Sequence, residues 1–233
     1  MTRDRIRGVT LDVDGTLYDI GAMMRAGMPG LLLMRRDFLD LFRVRDGMRG
    51  LEPVPDFRTE QARRLAAARG ISQGEARALV EDLIDRRWPR VFSRVRPFRG
   101  LREALEELAR LGMRLGLISE YPIEPKLSRL GLADLPFAAT VCCEDVGALK
   151  PHPASFVRAA AKLELAPAEI LHVGDREDSD VAGARRAGMR SALLGSAKRI
   201  LATRADFTFS DWKAFMPILR MHFRLSGHSD AGG

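Results

Sequence analysis

The sequence predicts an α/β protein: a doubly wound parallel sheet with an α-helical segment inserted after its first strand. Three observations predict it. From about residue 98 to 222 short apolar runs alternate with helical patterns, and such alternation implies a parallel sheet covered on both faces. Residues 6–13 read as a buried strand that ends in acid and stands apart from the other strands. Residues 20–96 carry helical patterning and no strand-like run. The division that follows is 1–19 with 97–224 as the α/β core, 20–96 as a helical cap, and 225–233, rich in Gly and Ser, as a frayed tail.

Within the insert, Ser72 and Glu75 form a capping box before a helix over Arg77–Trp88. Pro29, Pro53, Pro55, Pro89 and Pro97 punctuate the segment. Beyond it, a helix over 99–111 precedes the strand Met113–Ile118, and one over 123–131 precedes Ala138–Cys142. A helix over 153–164 precedes Ile170–Val173, and one over 178–187 precedes Arg190–Leu194. A last strand at Asp206–Phe209 leads into a helix over 211–222.

Composition narrows the function classes. An apolar fraction of 46% supports a packed core and argues against disorder. Cys142 and Cys143 are adjacent, make no disulfide framework, and read as small core residues of a protein in a reducing compartment. The N-terminus lacks a signal-peptide pattern, and Gly30–Met34 is too short to span a bilayer, so the expectation is a cytoplasmic protein with no membrane association. Residues 20–97 hold 16 Arg, no Lys and 10 acids, which places +6 of the net +7 there. That pattern reads as solvated helix faces, or as a region that meets anionic ligands. No zinc-finger or RNA-binding signature accompanies it, so nucleic acid is not expected as a partner. Phosphate-binding Gly-rich loops are absent, and His152, His172, His222 and His228 lack zinc-ligand spacing. His172 lies within a strand and reads as a satisfied core or supporting residue.

In open parallel sheets ligands bind beyond the carboxyl ends of the strands. Strand one ends Asp12-Val13-Asp14-Gly15-Thr16, where alternation puts both carboxylates on one side and Gly15 allows a sharp turn. A plain polar turn explains one Asp-Gly pair better than two acids after Val-Thr-Leu. The next core strand ends in Ser119, whose hydroxyl can donate to an oxyanion or cap a helix. Lys150-Pro151 follows the third strand and can set a fixed positive charge by the carboxylates. His172-Val173-Gly174-Asp175 ends the fourth, with Asp178 and Asp180 beyond it in positions that also suit a helix first turn. Mg²⁺ is usually held by one or two carboxylates with phosphate and water, which fits Asp12 and Asp175.

These residues resemble the haloacid dehalogenase-like superfamily of phosphohydrolases. The first motif, Asp-x-Asp-Gly-Thr, is matched at Asp12–Thr16. The second is a strand ending in Ser119, the third is Lys150-Pro151, and the fourth is Gly174-Asp175 with Asp180. The resemblance covers about 6–20 and 98–210, and implies a Rossmann-like core with a C1-type helical cap. It implies Asp12 as nucleophile, Asp14 as general acid and base, and Mg²⁺ on Asp12, the Asp14 carbonyl and Asp175. Ser119 would bind a phosphoryl oxygen, Lys150 would stabilise the nucleophile and developing charge, and Asp180 would support Lys150 or a metal-bound water. Thr16 and Gly174 belong to the supporting motifs. Glu120 departs from the family pattern: an acid beside phosphate is unfavourable unless it points away, touches substrate or binds a cationic group.

The implied partner is a small phosphorylated substrate, the implied assembly a monomer or homodimer. A phosphomutase shares the same residues. A 2-haloacid dehalogenase would use Asp12 on carbon without metal and lacks the second aspartate. A non-catalytic binding protein on the same fold is the reading from a different class. Met23, Met24, Met28, Met34, Leu31–Leu33, Phe38 and Phe42 read as a helix-pair core in the cap, with an adaptable pocket lining as the other reading.

Overall fold

The computed structural model describes residues 4–26, 35–91, 95–195 and 203–225. Met28, Pro29, Leu31–Leu33 and Met34 of the Met-rich stretch, and 226–233 of the expected tail, lie outside the described residues.

Six parallel strands form the main sheet in the order β4-β3-β2-β5-β6-β7. They are β2 Gly8–Leu11, β3 Arg114–Ser119, β4 Phe137–Cys142, β5 Ile170–Gly174, β6 Arg190–Leu194 and β7 Phe207–Phe209. Each lies within a few residues of its expected position. The reason they read as continuous apolar runs is burial on both faces: Leu117 belongs to one buried cluster and its neighbour Ile118 to the other. Leu101–Arg110 and Trp212–His222 cover the first face through Leu105, Leu108, Phe215 and Leu219. Ala154–Leu163 covers the second through Phe156, Ala159 and Leu163.

The expected strand over 6–13 divides. Arg5–Ile6 (β1) pairs in parallel with Arg224–Leu225 (β8) in a separate two-stranded sheet, and Gly8–Leu11 enters the main one. Leu225 therefore belongs to a strand and not to a frayed tail, because it pairs with Ile6, which is fully buried.

Among the described residues, the segment between Tyr18 and Pro97 holds helices and no named strand: Ile20–Ala26, Arg35–Asp46, Phe57–Arg69, and a fourth that runs from Gln73–Glu81 through Asp82–Arg87 into Trp88–Val91. Asp56 caps the third of these by accepting from the Thr59 amide at 2.9 Å, and the Ser72–Glu75 capping box opens the fourth. That helix begins earlier than expected and runs through Pro89. A π-wound stretch, Asp82–Arg87, precedes the proline. Its Trp88 amide bonds back to Leu83, so the wider turn fits a residue that lacks an N–H. Phe38 and Trp88 pack with ring centroids 5.7 Å apart, tying the helices together. The segment leaves and rejoins the core at one place, where the Phe98 amide donates to the Leu17 carbonyl at 2.9 Å and Tyr18 bridges Pro97. No helix among the described residues is long and apolar enough to cross a membrane.

Candidate active site

Sheet order sets the site. β2 lies between β3 and β5, so Asp12, Ser119 and Asp175 emerge side by side from three adjacent strands. The Asp12 amide still donates to the Val173 carbonyl at 2.9 Å, which fixes where its side chain starts. Gly15, at φ 99°, turns the chain away, and a Cβ there would lie 2.5 Å from Asp175 Oδ2. Both the backbone angle and the close approach require glycine. Gly174 is similarly constrained: a Cβ would lie 2.3 Å from the Asp180 Cβ.

Asp12 is buried and receives two hydrogen bonds, from Thr16 Oγ1 at 3.1 Å and from Lys150 Nζ at 2.5 Å. Lys150 also donates to Asp180 Oδ1 at 2.6 Å. Burial opposes the lysine's charge, but Asp12 and Asp180 outweigh it and hold the ammonium well above its usual range. Burial likewise works against the Asp180 carboxylate, and Lys150 and His172 outweigh it, keeping that carboxyl below its usual range. His172 stands behind, with Nε2 3.5 Å from Asp180 Oδ1 and Nδ1 3.0 Å from the Thr10 hydroxyl. Burial holds its imidazole below the ordinary histidine range. It is a buried supporting residue, as its strand position suggested.

Asp12 differs from Asp180. Burial pushes its carboxyl well above the usual range; Lys150 opposes this, while Asp180, Asp14 and Asp175 add to it. In formal charges, four carboxylates meet two ammonium groups, Lys150 and Lys126, which leaves −2 in a cluster whose Asp12 and Asp180 are buried and whose Asp14 and Asp175 are half-buried. Oxygen atoms of Asp12, Asp175 and Asp180 lie within 4.8 Å of one another. An all-oxygen donor set with that charge fits a hard divalent cation. Lys150 engages both Asp12 and Asp180, and Asp180 also accepts from the Arg176 amide at 3.1 Å; with Asp175 these carboxylates are the group that could hold a metal.

Asp14 is held more firmly than its sequence context suggests. Its Oδ2 accepts from Lys126 Nζ and lies 3.4 Å from Ser119 Oγ, and its Oδ1 accepts from the Tyr18 hydroxyl. Ser119 is fully buried and also accepts from the Tyr121 amide at 3.2 Å. Lys126 and Tyr18 were missed by sequence reasoning. Tyr18 lies four residues past Asp14, a weak local signal, while Lys126 lies 112 residues away.

Glu120 points toward Arg49 of the helical insert, which holds it through both guanidinium nitrogens, one at 2.9 Å. Arg49 also donates to the Lys150 carbonyl at 2.7 Å. The cation that answers Glu120 thus comes from the chain itself. Arg45, buried, donates to Glu144 at 2.5 Å and to the Glu120 carbonyl at 2.7 Å, and lies 4.2 Å over the Tyr121 ring. Much of the insert's arginine excess is met by acids of the chain, including Arg58 by Asp85 and Glu144, and Arg69 by Asp37 and Asp40. Cys142 and Cys143 are free thiols, and burial pushes both up to about 12. Asp12, Asp14, Lys150, Asp175 and Asp180 line a cleft of about 680 Å³ whose opposite wall is the helical insert.

Comparison with known proteins identifies the family. The family model described as haloacid dehalogenase-like hydrolase matches residues 6–188. The chain is 29% identical over 205 residues to the N-acetylmuramic acid 6-phosphate phosphatase of Pseudomonas aeruginosa, covering 83% of this chain and 84% of that one. It is 30% identical over 209 residues to the glyceraldehyde 3-phosphate phosphatase of Methanopyrus kandleri, covering 83% and 85%. A solved 2-haloacid dehalogenase from Pseudomonas syringae pv. Tomato superposes with a TM-score of 0.63 at 28% identity, covering 93% of this chain and 99% of that one. With its core topology, its clustered strand-end acids and a family match over most of its length, the chain belongs to the haloacid dehalogenase-like hydrolases.

Proposed function

We propose that this hydrolase is a Mg²⁺-dependent phosphatase that cleaves a small phosphorylated metabolite through an aspartyl-phosphate on Asp12. The observation that carries the reading is Asp12 itself, a buried carboxylate bonded by Lys150 and Thr16, beside Asp175 and with a second acid, Asp14, at hand. Its phosphatase relatives support the same reaction. In the first step an Asp12 oxygen bonds to phosphorus, the bond to the leaving oxygen breaks, and Asp14 gives that oxygen its proton. In the second, water bonds to phosphorus, Asp14 takes the water proton, and the acyl-phosphate bond breaks to return Asp12 and free phosphate.

Asp12 and Asp175 would hold Mg²⁺, which when bound supplies the positive charge that offsets repulsion between carboxylate and phosphate. Lys150 supplies a fixed charge of the same kind, and Asp180 orients it. Ser119 would donate to a phosphoryl oxygen once substrate displaces its contact with Asp14. In this reading residues 20–96 are a cap and the remainder of the described chain is the core.

Phosphate release from phosphorylated metabolites and an aryl phosphate, with and without Mg²⁺ and alongside Asp12→Asn, tests the proposal. Release should require both the metal and Asp12; release that survives Asp12→Asn would overturn it. The likeness to a 2-haloacid dehalogenase makes carbon–halogen cleavage a second reading. Halide release from 2-chloropropionate without metal would favour that reading. Asp14, with its own cation and hydroxyl partners, favours the phosphatase.

A further inference from the structure

The cleft combines two kinds of lining. At its base lie the strand-end carboxylates and Lys150. Apolar side chains line the same cleft, interleaved with arginines: Ile20, Met24, Leu39 and Phe42 from the first two insert helices, Trp88 from the last, and Tyr121 from the core. Trp88 stacks on Tyr121, with ring centroids 5.8 Å apart and planes at 29°, and meets Phe42 edge-on at 6.1 Å. Ile20, Met24 and Leu39 are 38%, 36% and 41% exposed. Large apolar side chains left open around a polar cluster mark a surface that an apolar group covers.

The cations along the same cleft are already answered. Arg45 pairs with Glu144 at 2.5 Å, Arg49 with Glu120 at 2.9 Å, Arg176 with Asp178 at 2.8 Å and Arg43 with Asp40 at 3.2 Å. Arg43 is the most loosely held: its side chain is 75% exposed and it shares Asp40 with Arg69. A substrate with a second anionic group would have to draw a guanidinium from its carboxylate, or rely on Arg43 screened by water. A neutral apolar group meets no such competition and covers the open wall.

We infer, resting on the phosphatase reading, that the substrate's leaving group is uncharged and apolar, with a ring or chain that lies against Ile20, Met24, Leu39 and Phe42, and carries no carboxylate. Ile20, Met24 and Leu39 then act as specificity-determining residues, the open apolar surface that the group covers.

Calorimetric binding in Mg²⁺ separates the possibilities. The probes are benzylphosphonate, which has an apolar ring, and phosphonoacetate, which has a carboxylate. Benzylphosphonate should bind about tenfold tighter. Leu39→Gln and Met24→Gln, at open positions where the fold tolerates polarity, should each narrow that ratio by about threefold. Equal or tighter binding of phosphonoacetate, a ratio that neither variant moves, or binding of neither probe overturns the inference. If phosphonoacetate wins and Arg43→Gln abolishes its advantage, the specificity residue is Arg43 instead. Turnover of benzyl phosphate is read separately: the stated binding preference without phosphate release would sink the phosphatase reading and leave the apolar wall standing.

Discussion

Gly15 lies between the two halves of the site. It turns the chain after Asp14 at φ 99° and lets Asp175 approach to a distance that no side chain would permit. Gly15→Ala should therefore push Asp175 away from Asp12 and lower stability by about 1–3 kcal/mol. Calorimetric Mg²⁺ titration with urea unfolding checks this, and wild-type metal affinity in the variant would show that Asp175 does not depend on that approach. Asp12, Asp14, Ser119, Lys150 and Asp175 were legible because strand-end chemistry is written locally: an acid directly after a Val-Thr-Leu run has few structural reasons to be there. Lys126 and Tyr18 were not. Lys126 looks like any helix lysine until the fold brings it onto Asp14.

At the scale of elements, the helix Arg35–Asp46 and the turn after it join the insert to the core by charge. Arg45 and Glu144 are both buried, and Arg58 adds a second bond to the glutamate at 2.8 Å. Arg45→Met should cost about 3 kcal/mol, since it strands part of a buried carboxylate's charge. Arg45→Met with Glu144→Gln should recover much of the loss in urea unfolding. A double variant no more stable than the single one would mean that Arg45 acts through packing on Tyr121 instead. The strands were easy to read because burial on both faces makes them uniformly apolar. The arginines were harder: at helical spacing a buried arginine and a solvated one look alike, and only the partner, 99 residues away for Arg45, tells them apart.

For the whole molecule, the acid cluster is a stability cost that a cation can remove. Burial raises the folded-state pKa of Asp12, so its contribution to stability is greatest at low pH and falls as pH rises from the unfolded value of 3.8 through the folded one. Asp180 has the opposite sign: its depressed folded pKa stabilises the protein above 3.8 and is lost on acidification. Ligand binding to the folded state stabilises by about 2.7 kcal/mol at one hundred times Kd. Mg²⁺ should therefore raise Tm at pH 7.5, less so at pH 4, and not at all in Asp12→Asn with Asp175→Asn. A shift of equal size at both pH values would place the ion elsewhere.

The helical insert begins and ends on neighbouring residues, with Tyr18 bridging Pro97 and Leu17 bonded to Phe98. In chain-statistical terms it is a closed excursion whose end-to-end distance is set by the core and not by its own length. The entropy of closing such an excursion grows only logarithmically, by about 0.6 kcal/mol for each doubling. The same pair of stems could therefore carry a much longer or shorter segment at little thermodynamic penalty, and the wall beside the strand-end acids is free to diverge while the sheet beneath it stays unchanged.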